Sequence, residues 1–240
     1  MELNIINMYP DILNLYGDLG NLICIKQRCN WRGIDVNIEN LTINNEVAIG
    51  DADMILIGGG SDNGQSIVST HLLKQKKELE NFIDDEKVML AICGSYQMFG
   101  NTYIDVDKKK IPCLEIFDIE TISQRNRLTG NIIIENNLGL KPKEIIGFEN
   151  HGGRTYHNYT PLGSVKLGYG NNEEYENEGM LYKNFIASYL HGPLLPKNPH
   201  LADYMILNTL KNKYDIKSLD KIEDKIEINA HNSVIEKLLD

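Results

Sequence analysis

The chain is short of several things at once. It carries one tryptophan, seven prolines and four cysteines in 240 residues. The cysteines (Cys24, Cys29, Cys93 and Cys113) form no CxxC pair, which excludes a disulfide framework or zinc ribbon as the first expectation and makes a reducing cytoplasm the expected compartment. Positive charge is also scarce: 24 Lys and Arg face 34 Asp and Glu, a formal net charge of −10. A chain so charged offers no dominant basic field, so nucleic acid and anionic membrane are not expected partners. No apolar run approaches the roughly 20 residues of a membrane span, and the opening Met1-Glu2-Leu3-Asn4 lacks the basic head of a secretory leader. No HxxxH or Cys/His spacing suggests a metal site.

What is present is an apolar fraction of 42%, ample for a core. Residues 2–8, 34–41, 52–57 and 87–92 read as strands, with helices over 22–32 and 65–84. Strand and helix alternating in this order predict an α/β fold with an open, largely parallel sheet flanked by helices, a flavodoxin-like core. From about residue 111 the pattern changes to short strands over 116–123, 130–135, 145–150, 165–169 and 185–190. These read as a mainly antiparallel extension of the same sheet, making it mixed. A helix is expected over 201–214, so residues 1–215 form one domain and 216–240 a charged tail with a final helix over 233–239.

The densest chemical signal is the apolar run Val88-Met89-Leu90-Ala91-Ile92 ending in Cys93-Gly94-Ser95-Tyr96-Gln97-Met98-Phe99-Gly100. A strand that breaks into a helix at a cysteine exposes a thiol on a tight turn and aims free helix N–H groups at it. Both features suit a nucleophilic thiolate, as in a nucleophile elbow with Cys for Ser. Most strand-end cysteines are packing residues, so the elbow needs company. Two other loops fall at the same sheet edge, where sites form in open parallel sheets: one at Asp18, the other at Gly58-Gly59-Gly60-Ser61-Asp62. The triplet lacks the Lys-Ser/Thr of a phosphate loop. Its Gly60 N–H, beside that of Gly94, would serve a developing oxyanion.

A cysteine nucleophile needs a base. His191 ends the apolar run 185–190 ahead of a Gly-Pro turn and is the leading candidate, with His151 its competitor. His71, His200 and His231 are expected on the surface, and His157 in a polar loop. Gln97 lines the site or caps the helix.

The segment Ala91-Ile92-Cys93-Gly94-Ser95-Tyr96-Gln97-Met98-Phe99-Gly100 resembles the nucleophile segment of class I (triad) glutamine amidotransferases of the cobyric acid synthase-like (CobB/CobQ) branch. Tyr189-Leu190-His191-Gly192-Pro193-Leu194-Leu195-Pro196, Leu15-Tyr16-Gly17-Asp18-Leu19-Gly20-Asn21, Arg127-Leu128-Thr129-Gly130-Asn131 and Gly147-Phe148-Glu149-Asn150-His151 are similar to one subfamily of that branch. The resemblance implies Cys93 as nucleophile, His191 as acid and base, Gly60 and Gly94 as oxyanion donors, and Arg127 as the grip on L-glutamine. It implies no cofactor in this chain. It also implies a heterodimer with a Mur-ligase-like subunit that binds ATP and Mg and uses the ammonia to amidate D-glutamate in lipid II.

One departure stands out. Many class I enzymes place a glutamate two residues after the catalytic histidine, and here that residue is Pro193. Asp18 or Glu149 could replace it, Asp18 being favoured, or Cys93 and His191 work as a dyad. The elbow by itself also fits a cysteine peptidase, the glutaminase of another ammonia-dependent synthase, or a docking subunit that has kept the fold without the activity.

Overall fold

The computed structural model describes residues 1–239. β1 (Glu2–Met8) runs through a single turn at Leu15–Gly17 into α1 (Leu19–Asn30), followed by β2 (Asp35–Leu41), β3 (Met54–Ile57), α2 (Asp62–Lys74), α3 (Lys76–Asp84), β4 (Val88–Ile92) and the short α4 (Gly94–Met98). The chain then forms β5 (Thr102–Ile104), β6 (Lys110–Ile111), β7 (Glu120–Asn136), β8 (Glu144–Tyr156), β9 (Gly163–Leu167), β10 (Asn177–Glu178), β11 (Met180–Tyr182) and β12 (Phe185–Ser188). It closes with α5 (Leu194–Lys197), α6 (Pro199–Tyr214) and α7 (Lys225–Leu239).

The first sheet has six strands in the order β11-β12-β4-β3-β1-β2, all parallel except β11. Every residue of β3, β4 and β12 is buried, as expected for uninterrupted apolar strands with both faces covered. β2 lies at an edge and shows its Asn and Glu side chains to solvent, a composition that discourages pairing with another chain. This sheet is the α/β core that the alternating pattern predicts, and helix α2 begins where Ser61 Oγ accepts the Gly64 N–H at 3.2 Å. The expected single helix over 65–84 is two helices, α2 and α3, meeting at Gln75.

Of the later strands, β11 and β12 do extend that sheet, β12 running parallel to β4, but β5 to β10 do not. Those strands build a second six-stranded sheet, β10-β9-β7-β5-β6 with β8 also on β7. The chain passes between the sheets at Gly179, which separates β10 from β11 and has φ +66. A Cβ there would sit 2.5 Å from the Ala187 carbonyl oxygen, so only glycine allows the crossing. The polar stretch that reads as a turn between two strands lies inside one strand, β7. Ser123 pairs with Gly153 and Leu128 with His151, so residues 124–127 bulge opposite Gly152 alone. Such a bulge interrupts the ladder and re-aims the side chains on it.

The C-terminal segment packs against the helical layer. Arg28 of α1 is 2% exposed and makes a two-bonded pair with Asp203 of α6, 2.7 Å on each arm, and a 2.9 Å bond to Asp224 just before α7. Arg32 joins it through Asp203 and the Asp220 carbonyl. The final helix therefore starts earlier than its charge pattern suggests, at Lys225 rather than Ser233.

Two histidines expected on the surface lie beneath this segment. His231 is buried, with Nδ1 donating to the Lys197 carbonyl at 2.8 Å, and His200 packs edge-on against it with 5.1 Å between ring centroids. Burial first, and then the charge of His231, push His200 down to about 4; burial also holds His231 below the usual imidazole range. Because both folded values lie below the unfolded value near 6.5, the unfolded chain binds more protons in acid. The stability these neutral rings contribute is complete above pH ~6.5 and is lost as the pH falls toward ~4. Amide protection factors across α7, corrected for the intrinsic exchange rate at each pH, should therefore fall as the pH drops between those two values in wild type, and the fall should be smaller in a His200→Phe variant.

Candidate active site

The carboxyl ends of β1, β3, β4 and β12 meet at one edge of the first sheet, the position at which open parallel sheets form their sites. Cys93 leaves β4 with φ +52 and ψ −105, a strained conformation for a residue with a side chain. Its N–H is tied to the Ser188 carbonyl of the neighbouring β12 at 2.8 Å. The parallel register sets Ser188 opposite Ile92. His191, three residues beyond Ser188, therefore arrives at the same edge as Cys93. A two-way backbone bridge to Phe148 of β8 fixes it there, at 2.8 and 3.2 Å.

Asp18, in the loop after β1, faces this histidine. Both of its carboxylate oxygens stand 3.4 Å from His191 Nδ1, a long contact, and Oδ2 also accepts the Gly59 N–H at 2.7 Å. Gly59 is the hub of the group. A Cβ on it would lie 2.7 Å from His191 Cε1 and 3.2 Å from both Cys93 Cβ and Asp18 Oδ2. The absence of a side chain at this one position lets the three groups converge. Both His191 and Asp18 are buried. Burial alone presses the imidazole down. The Cys93 sulfur and the Asp18 carboxylate outweigh it and push His191 up to about 10. Nε2, the nitrogen away from Asp18, has no hydrogen-bond partner among the described residues.

Glu149, the other candidate carboxylate, is engaged elsewhere. It accepts the Tyr169 and Gly170 N–H groups at 2.7 and 3.0 Å, and the imidazole it meets is that of His151, 3.6 Å away. His151 stacks on Tyr189 at 3.7 Å, with Nδ1 donating to the Gly153 carbonyl. Pro193 packs over Gly20 at the start of α1. A third buried carboxylate, Glu178, accepts the Tyr189 N–H at 2.6 Å and the Ser188 hydroxyl, bracing the strand end that carries His191. Burial foremost pushes its carboxyl up to about 8.

A cavity of about 430 Å³ opens beside Cys93. Gly60, Gln65, Gln97 and Tyr16 line its near side, and Arg127 and His151 come from the second sheet. Arg127 lies on the β7 bulge, which explains how a residue of an antiparallel strand reaches the elbow. The N–H groups of Gly60 and Gly94 make no hydrogen bond among the described residues. Gln97 lines the site, the first of the two roles expected for it, and also braces it: its Oε1 accepts from Gln65 at 3.1 Å and its Nε2 donates to the Tyr189 hydroxyl at 3.0 Å, knitting the elbow to the base of the cavity. Among the described residues no cluster of three or more His, Cys, Asp or Glu is placed to hold a metal ion.

A cysteine on a strained elbow, an imidazole from the adjacent strand end and a carboxylate behind it are the parts of a cysteine-dependent acyl-transfer site on an α/β scaffold. The same fold is seen in a solved glutamine amidotransferase from Thermotoga maritima, which superposes with a TM-score of 0.56 at 15% identity, covering 99% of this chain and 98% of that one. Residues 4–199 match the CobB/CobQ-like glutamine amidotransferase domain, and the chain belongs to that family. It is 42% identical over 237 residues, 98% of this chain and 96% of the relative, to the GatD subunit of the glutamine-hydrolyzing lipid II isoglutaminyl synthase of Staphylococcus aureus. The GatD subunit of Streptococcus pneumoniae is 38% identical over 216 residues, 89% of this chain and 82% of its own.

Proposed function

We propose that this chain is the glutaminase subunit of a lipid II isoglutaminyl synthase. The observation that carries the reading is the 42% identity to the Staphylococcus aureus subunit, which runs through 98% of the chain and so spans every loop that meets at Cys93. The Cys93 sulfur attacks the side-chain amide carbon of L-glutamine, and the free N–H groups of Gly60 and Gly94 receive the oxyanion. His191 gives its proton to the departing nitrogen, releasing ammonia and leaving a γ-glutamyl thioester. It then takes a proton from water, whose oxygen displaces the sulfur and frees glutamate. Asp18 holds Nδ1 and so keeps Nε2 directed at the chemistry.

Arg127 receives the α-carboxylate of glutamine, for which a planar guanidinium fork is suited. Removing it should therefore weaken binding more than chemistry. For Arg127→Ala, KM for glutamine is expected to rise about 10- to 100-fold, with kcat changed only several-fold. Steady-state glutamate release measures both.

Ammonia set free in neutral water is protonated and loses its nucleophilic lone pair. The product is therefore of use only if it is handed directly to an acceptor site. The partner in this reading is a Mur-ligase-like subunit, forming a heterodimer in the cytoplasm. That subunit would activate the α-carboxyl of the D-glutamate in lipid II with ATP and Mg, and the ammonia would convert it to D-isoglutamine. Co-expression with such a chain, followed by glutamine-dependent amidation of lipid II, tests the reading. Glutamine hydrolysis without amidation of lipid II by the purified pair would assign the chain to a different synthase.

A further inference from the structure

Tyr16 occupies an expensive position for no packing return. It lies in the single turn after β1 with φ +60 and ψ +20, a left-handed conformation that residues with side chains seldom adopt, yet it is 41% exposed. Two contacts hold it. Its ring stands edge-on over the His191 imidazole with 4.9 Å between centroids, and its hydroxyl accepts from Asn150 Nδ2 at 2.6 Å.

Asn150 is in β8, across the cavity. Its other amide atom, Oδ1, accepts from Arg127 Nε at 2.6 Å and from Thr129 Oγ1 at 3.1 Å, while its backbone carbonyl accepts from Arg127 Nη2 at 2.5 Å. The Nε/Nη2 edge of the guanidinium is therefore filled by Asn150. Nη1 makes no bond among the described residues, and the end-on edge is the one left for a ligand. A single side-chain amide thus bridges the mouth of the cavity, joining the Arg127 bulge of the second sheet to the loop over His191 in the first.

We propose that Tyr16 is the cover of the site and that Asn150 is the positioning residue that locks this cover and the Arg127 grip in one geometry, making the site selective for amides that carry an α-carboxylate. The inference rests on the glutaminase reading for its substrate. A ligand that engages the end-on edge of Arg127 leaves the Asn150 bridge intact and reacts beneath Tyr16. A small amide or electrophile without a carboxylate has only the shielded approach.

The test compares two alkylating probes on Cys93 in the full chain. Iodoacetamide has no α-amino acid group, whereas acivicin has one. Adduct formation is followed by mass spectrometry for wild type, Tyr16→Ala, Tyr16→Phe and Asn150→Ala. In Tyr16→Ala, the iodoacetamide rate should rise and the acivicin rate fall, each by about tenfold. Tyr16→Phe keeps the ring but loses the hydroxyl, so it should show smaller changes in the same opposed directions, while Asn150→Ala, which also frees the Arg127 Nε edge, should lower the acivicin rate further. An iodoacetamide rate equal to wild type in Tyr16→Ala overturns the cover, as does a parallel change with both probes, which would report general damage to the elbow. Failure of acivicin to label wild-type Cys93 would instead count against the glutaminase reading, and the iodoacetamide comparison would still decide the cover.

Discussion

Cys93→Ala is expected to abolish glutamine turnover, with kcat falling by at least about 10⁴-fold, while the chain stays folded. The loss is large because no other thiol stands at the elbow. The other three cysteines lie elsewhere: Cys24 and Cys29 on α1, and Cys113 beside β6. Burial first of all pushes those three thiols up, to about 11 for Cys24, about 12 for Cys29 and about 11 for Cys113, so none is poised to substitute. The backbone at Cys93 supplies a second, independent readout. At φ +52 any side chain is strained, and glycine is not. Cys93→Gly should therefore melt higher than Cys93→Ala, by the equivalent of about 1 kcal/mol. Equal melting temperatures would mean that the elbow is relaxed and that its geometry is not held against a cost. Stability gained as activity is lost at one position is the expected signature of strain retained for chemistry.

Much of this site was readable because its chemistry sits in short local patterns. An uninterrupted apolar strand that runs into Cys-Gly marks an elbow, and a strand-end histidine before Gly-Pro marks a rigid corner. The parallel register that brings the two corners together follows from strands buried on both faces. The less legible parts depend on contacts between residues distant in sequence. In sequence Gly59 is equivalent to its glycine neighbours, and only the convergence of Asp18, Cys93 and His191 on its missing Cβ singles it out. The strands of the second sheet read as an extension because nothing local distinguishes a strand that joins one sheet from a strand that starts another; the switch back to the first sheet is made at one glycine, Gly179. Likewise, the polar run 124–127 reads as a turn, since a bulge that points Arg127 at a cavity has the composition of a loop. His200 and His231 sit in polar helical surroundings, and their burial comes from a tail anchored by Arg28, some 170 residues and more away along the chain.

The second large effect is expected at Asp18, where it bears on Pro193 replacing the usual orienting glutamate. Asp18→Asn should lower kcat by about 10²- to 10⁴-fold, the range in which a misdirected histidine costs an acyl-transfer site. The geometry says why the amide is a poor substitute. The Asp18 Oδ2 accepts the Gly59 N–H at 2.7 Å, so the single oxygen of an asparagine is claimed there. Its NH₂ group then faces His191 Nδ1. An imidazole that meets a donor at Nδ1 must carry its proton on Nε2, where it cannot accept from water to open the thioester. The pH profile separates this from a fault in folding. Asp18 is one of the groups that push His191 up to about 10, and the neutral amide cannot do so. The imidazolium is therefore lost at lower pH in the variant, and the alkaline limb of kcat/KM should move toward neutrality. Glu149→Gln provides the contrast. That carboxylate serves the Tyr169 and Gly170 backbone, so its loss should lower stability without moving the alkaline limb. If Asp18→Asn changes kcat less than about threefold and leaves the limb in place, Cys93 and His191 act as a dyad, and Asp18 serves only to seat Gly59.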